Sequence, residues 1–254
     1  MKYCIVFCVF KSCENQEYFS EVLVESLKET NPDIPLYCLL NIHEIDFRLI
    51  NYLRLNTNIV YNKKDYKNSI DLENNYLRNY CCYYFSHVYD LTNEYDYVIY
   101  VDIDVIFLNK IHFTLPEDCL YVEEMPDEIK KFDLNYSFEH IFFNWIDVIT
   151  KQNKFIHRFN NNYYNYAERE YSQEVLKSGF KLISQPLGAI YPYKPLSKSS
   201  ICFHYDDVNK FSYFSKLKDV FPEKYIKYRD ILLKHFNVCD CQNFWENKQF
   251  INEK

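Results

Sequence analysis

Residues 2–10 (KYCIVFCVF) are an almost unbroken apolar run without the period-two alternation of a half-solvated strand, which predicts a central parallel strand covered on both faces. Tyr18, Val22, Leu23 and Leu27 then recur at helical spacing, and Asn31-Pro32 ends that run. Residues 35–42 (PLYCLLNI) predict a second strand, so the chain opens as β-α-β. In an open parallel sheet ligands lie beyond the carboxyl ends of the strands, which makes Val9 and Phe10 the first candidate binding residues. Residues 46–66 predict a short helix and a strand at NTNIVYN, and residues 72–91 a longer helix with a broad apolar stripe.

The densest pattern follows at residues 95–109 (YDYVIYVDIDVIFLN), which reads as one buried strand interrupted by two acids. Side chains on a strand alternate between faces, so Asp102 and Asp104 are expected on one face, with Ile103 and Val105 packed on the other. Two ionised carboxylates in so apolar a segment are costly unless a cation or several donors offset them. A divalent metal is the simplest such cation.

Beyond the acids the pattern is less regular. A short strand is expected at residues 120–123, a strand followed by a helix at 138–150 (FEHIFFNWIDVIT), and a helix at 171–180 (YSQEVLKSGF) stopped by Gly179. Residues 180–193 predict a strand and a proline-rich turn, and SICFH predicts a short strand ending at His204. A last helix, residues 223–236, is expected to pack over the sheet as a cap.

Composition narrows the function. The 254 residues suffice for one large α/β domain, and a net charge of −7 argues against a nucleic-acid surface, which needs a basic face. No apolar run approaches the roughly 20 residues of a membrane span. Of ten cysteines, Cys4, Cys8, Cys38 and Cys202 sit inside apolar runs, where the thiol serves as a small buried hydrophobe in a reducing compartment; a soluble, cytoplasmic protein is expected. Only two glycines exist, Gly179 and Gly188, so no glycine-rich loop can cradle a phosphate. Any bound diphosphate must therefore be met by a metal and by side chains.

The run YDYVIYVDIDVIFLNKI resembles the strand and Asp-x-Asp motif of metal-dependent glycosyltransferases of the GT-A fold, and among them it is most similar to the glycogenin-like family 8. The resemblance implies one domain with a mostly parallel, Rossmann-like central sheet flanked by helices. Its first half, roughly residues 1–110, would bind the nucleotide sugar; the second, roughly 111–254, would bind the acceptor and supply the cap. It further implies that the loop after the first strand, from Val9 and Phe10, holds the nucleobase. Asp102 would reach the ribose and join the metal, and Asp104 would bind the metal.

In that family a strand closing with histidine supplies the third metal ligand, and a lysine six positions on touches the diphosphate; His204 and Lys210 keep this spacing. The surrounding motif is only partly kept, with Asp207 in place of its glycine and Phe211-Ser212 in place of Pro-Trp. A basic residue on the preceding helix suggests Arg78, although the matching position falls near Tyr84 or Phe85. Gln173 matches the glutamine of the family's Asp-Gln helix, with Ser172 replacing the aspartate. Asn144 matches the first residue of an Asn-x-Gly, and Trp145-Ile146 replaces the rest.

Two carboxylates, an imidazole and diphosphate oxygens favour Mn²⁺ or Mg²⁺ over zinc. The expected function is transfer of a sugar from a UDP-sugar to a hydroxyl of a glycan or protein, with retention, using Asp102, Asp104, Lys210 and Gln173. Three alternatives stay open from the residues alone: an inverting glycosyltransferase with Asp147, Glu174 or Asp206 as base, a metal-dependent phosphohydrolase or nucleotidyltransferase, and a non-enzymatic carbohydrate-binding protein.

Overall fold

A computed structural model describes residues 1–9, 16–40, 45–61, 88–125, 132–133, 138–139, 142–143, 145–157, 167–184, 186–190, 194–205 and 214–235. In chain order these form β1 (Tyr3–Val9), α1 (Phe19–Thr30), β2 (Leu36–Leu40), α2 (Phe47–Asn56), β3 (Asn58–Tyr61), β4 (Tyr97–Val101), β5 (Val105–Phe107) and β6 (Cys119–Glu124). Then come β7 (Phe132–Asp133), β8 (Phe138–Glu139), β9 (Phe142–Phe143), β10 (Ile146–Ile149), α3 (Ala167–Lys177), β11 (Lys181–Ser184), β12 (Gly188–Ile190), β13 (Cys202–His204), α4 (Leu217–Val220) and α5 (Pro222–Leu232).

The central sheet has the order β10-β4-β1-β2-β3, with β4, β1, β2 and β3 parallel and β10 antiparallel at one edge. From β1 the chain steps outward through β2 and β3, then returns to place β4 on the other side of β1. That reversal creates a crevice at the carboxyl ends of β1 and β4, the position at which doubly wound sheets take their ligands. The apolar run at the start of the chain fills the centre: Cys4, Ile5, Val6, Phe7 and Val9 have no exposure at all. Burying a side chain such as Phe7 contributes about 1.5–3 kcal/mol.

Helix α1 packs Leu23, Val24 and Leu27 against this sheet and also ties down the strand after the acids. Its Ser26 hydroxyl accepts a 2.9 Å hydrogen bond from Phe107 N, and Asn31, just past its end, accepts one of 2.8 Å from Ile111 N through its side chain. Smaller sheets complete the fold: β12-β13-β5, β11-β6-β9, and the pair β7-β8. The helix expected at residues 223–236 is α5, Pro222–Leu232. Its Tyr228 and Leu232 pack with Phe19 and Val22 of α1, while Lys224, Lys227 and Tyr228 hold the Glu29 carboxylate.

Two sequence expectations change. Residues 95–109 are not one strand: β4 ends at Val101 in the central sheet, and β5 begins at Val105 in another, paired antiparallel to β13. High β propensity on both sides of the acids conceals a handover between sheets, because propensity carries no information on which sheet a strand joins. Residues 145–150 are not a helix: Ile146–Ile149 pairs with β4 as an antiparallel edge, Asp147 opposite Tyr100. The helix expected at 72–91 lies outside the described residues except for its last turn, 88–91.

Candidate metal centre

Asp102, Ile103 and Asp104 form the turn between β4 and β5. The β10–β4 ladder extends one step into this turn, where Asp102 N donates to Trp145 O at 2.9 Å. On the far side Tyr205 N donates to Asp104 O at 3.3 Å, which fixes the second acid to the end of β13. His204, the last residue of β13, stands opposite Val105 and so beside Asp104. Its Nε2 lies 3.2 Å from Asp104 Oδ1.

The acids therefore converge through a corner rather than by strand alternation. One potential ligand atom from each of Asp102, Asp104 and His204 lies within 4.8 Å of the others. Asp104 and His204 are 5% and 3% exposed, whereas Asp102 is half-buried, so the group opens on the Asp102 side. Tyr100, two residues back on β4, donates to Asp102 Oδ1 at 2.6 Å and orients that carboxylate. Two carboxylates this close, one of them buried, together with an imidazole, are a donor set that could hold a divalent ion, which would offset their repulsion.

A third carboxyl lies next to this group. Asp147 on β10 is buried, hydrogen-bonded by Tyr171 of α3, and its pKa is pushed up to about 8, chiefly by burial and further by the charge of Asp102. Desolvation penalises its charged form. In the unfolded chain the same carboxyl titrates near its ordinary value of about 3.9. The folded pKa is the higher of the two, so the stability this group contributes is full at low pH and is lost as pH rises from about 4 to about 8. Asp147→Asn cannot ionise, and the melting temperature of the variant is expected to gain on that of the wild type between about pH 5 and pH 8.5. A difference that stays flat across this range would show that Asp147 is not buried as a neutral acid.

Of the other residues singled out in the sequence, Val9 ends β1 in the expected crevice, but its side chain is fully buried, which leaves contacts there to its main chain. Gln173 lies half-buried on α3 and is not part of the three-residue group; its neighbour Ser172 is buried and accepts from Phe142 N at 3.1 Å. Glu174 pairs with Lys177 on the surface at 3.3 Å, a poor setting for a catalytic base. Phe10, Arg78, Tyr84, Phe85, Asn144, Asp206, Asp207, Lys210, Phe211 and Ser212 lie outside the described residues. Tyr100 went unnoticed in the sequence, although its position two before Asp102 was a legible signal. The Asp147–Tyr171 pair left no such signal, since it joins residues of separate elements.

Among the described residues no helix is long and apolar enough to cross a membrane. No family model matches the chain, and no curated protein sequence matches it significantly. Among solved structures it is similar to an active-site mutant of LgtC, with a TM-score of 0.51 and 13% identity over 90% of this chain and 94% of that one. Also similar are the apo form of WbbM, a bifunctional glycosyltransferase (TM-score 0.48, 11% identity, 91% of this chain), and the glycosyltransferase GlyE of Streptococcus pneumoniae TIGR4 (0.47, 13%, 98%). The chain spans 51% of the length of WbbM and 64% of that of GlyE. The mixed α/β architecture, with its mostly parallel central sheet, is of the GT-A type, and this rests on the likeness to LgtC.

Proposed function

We propose that this protein is a divalent-metal-dependent glycosyltransferase that moves a sugar from a nucleotide-diphosphate sugar, most simply a UDP-sugar, to a hydroxyl acceptor with retention. One observation carries the reading: Asp102, Asp104 and His204 converge within 4.8 Å at the carboxyl end of β4, beside the switch point of the sheet. The GT-A type of the fold, which rests on the likeness to LgtC, adds to it.

In this reading Asp104 and His204 hold Mn²⁺ or Mg²⁺ from the buried side. Asp102, oriented by Tyr100, shares the ion and reaches the ribose from the open side. A bound divalent ion supplies Lewis-acid stabilisation of the charge that builds on the diphosphate as the sugar leaves. Lys210 is assigned to the same diphosphate, Val9 and Phe10 to the nucleobase end of the crevice, Arg78 to the nucleotide sugar, and Gln173 to the acceptor side. The donor thus falls mainly to residues 1–110, completed by His204 and Lys210, and the acceptor to the rest of 111–254, within one domain.

Retention is what the resemblance to family 8 implies, and two of the three acids that could serve an inverting enzyme as base are poorly placed for it, the third, Asp206, lying outside the described residues. Asp147 is buried on β10 and hydrogen-bonded by Tyr171, and Glu174 is engaged with Lys177 at the surface. Incubation with a panel of nucleotide sugars, with Mn²⁺ or with chelator, tests the assignment. The expected result is release of UDP from a UDP-sugar with Mn²⁺, a transferred sugar of unchanged anomeric configuration, and loss of both in chelator. Equal turnover in chelator, or release of inorganic phosphate in place of UDP, would contradict it.

A further inference from the structure

Trp145 touches both halves of the proposed metal centre. Its carbonyl accepts the 2.9 Å hydrogen bond from Asp102 N, and its indole lies flat on the His204 imidazole, with ring centroids 4.9 Å apart and planes 15° apart. The residue is 2% exposed, and its Nε1 has no hydrogen-bond partner among the described residues. What fixes the indole is therefore shape, its packing against a ring and a backbone.

That backbone is Gly188 of β12. A Cβ placed there would stand 2.3 Å from Trp145 Cη2, 2.9 Å from Cζ2 and 3.2 Å from Cys202 Sγ. Real Cβ atoms do not approach carbon that closely, so the glycine is required by space. β12 and β13 are paired in parallel, Gly188 beside Cys202 and Ile190 beside His204, so the glycine and the histidine belong to one small sheet. The indole packs against both.

We infer that Trp145, seated against Gly188, is a positioning residue that holds His204 in the ring orientation needed for metal binding and ties it to the main chain of Asp102. An imidazole binds a cation in its own plane, along a nitrogen lone pair. Rotation of the ring would swing Nε2 away from Asp104, and an aromatic face packed flat against the imidazole opposes that rotation. Groups that orient a metal ligand without touching the ion commonly matter about 10- to 100-fold in affinity. This inference rests on the metal reading under Proposed function and adds residues to it.

The test uses Mn²⁺ alone, with binding measured from the electron paramagnetic resonance of free Mn²⁺. Trp245→Phe serves as the background, because it leaves Trp145 as the sole tryptophan. The parent is expected to bind Mn²⁺ with quenching of Trp145 fluorescence by the paramagnetic ion. Gly188→Ala, which touches no ligand, is expected to bind about 10-fold more weakly. Trp145→Phe alone keeps an aromatic face on the imidazole and should bind within about threefold of the parent, whereas Trp145→Ala, which removes that face, should bind about 10-fold more weakly. Adding Trp145→Phe to Gly188→Ala makes room for the Cβ and should restore binding to within about threefold of Trp145→Phe alone, a rescue that general destabilisation would not give. If Gly188→Ala fails to fold, recovery of a folded double variant that binds Mn²⁺ within about threefold of Trp145→Phe supports the seating of Trp145 against Gly188 equally well.

Undiminished affinity in Gly188→Ala would overturn the inference. So would a double variant that is folded yet binds no better than Gly188→Ala, or that falls well short of Trp145→Phe alone. Failure of the parent to bind Mn²⁺ would instead overturn the metal reading itself, so the two failures are distinguishable.

Discussion

Asp104→Ala is expected to remove metal-dependent turnover while leaving the fold intact. The side chain is 5% exposed, its Oδ1 lies 3.2 Å from His204 Nε2, and it is assigned as a ligand on the buried side of the centre. Loss of one preorganised electrostatic contact to a developing charge commonly costs about 10²- to 10³-fold in rate, and loss of a ligand that anchors the ion should cost at least as much. The effect on stability should have the opposite sign. Without metal, two neighbouring carboxylates repel one another, and removing one relieves that strain, so the metal-free variant should melt no lower than the metal-free wild type. Saturating Mn²⁺ should stabilise the wild type by about 2.7 kcal/mol at 100 times its dissociation constant and leave the variant unmoved. Paired melting curves and turnover measurements check both parts. Wild-type turnover by folded Asp104→Ala would remove Asp104 from the centre.

Much of the fold could be read from the pattern of apolar residues. β1, α1, β2 and β3 lie where the run of residues 2–10, the helical spacing of Val22, Leu23 and Leu27, and the strands at 35–42 and NTNIVYN placed them. These are local features, set by periodicity and by stops such as Asn31-Pro32. The corner at Asp102–Asp104 was not legible, because the residues on both sides of it are equally strand-like and differ only in their partners, β1 and β10 for one, β13 for the other. The sequence of β10 suits a helix as well as a strand for a related reason. Trp145, Ile146, Val148 and Ile149 are all buried, and a run apolar on every side has no period to betray it as a strand.

The centre itself was half legible. The Asp-x-Asp pair is a local motif, and His204 was reached only through the resemblance, a hundred residues downstream. The structure brings that histidine to Asp104 by pairing β13 with β5. The role of Trp145 could not have been read from its sequence neighbours, where it looked only like a departure from a familiar motif. Its meaning comes from Gly188, 43 positions later, and from the space a missing Cβ leaves there. Close packing of this kind is a property of the assembled core, in which even a methylene matters.

The second large effect expected is thermodynamic coupling between metal and nucleotide. Asp102, Asp104 and His204 offer three side chains where an octahedral ion wants six donors, and a chain with two glycines has no glycine-rich loop to bind a diphosphate through backbone amides. Each partner should therefore complete the site for the other, and by linkage each should raise the affinity of the other by the same factor, commonly about 5- to 150-fold. Isothermal titration of UDP into the wild-type protein, with saturating Mn²⁺ and again with excess chelator, measures this directly. Tight, Mn²⁺-dependent binding of UDP that is lost in chelator, and lost likewise in Asp104→Ala, is the predicted result; UDP affinity indifferent to Mn²⁺, or no UDP binding under either condition, would contradict the account.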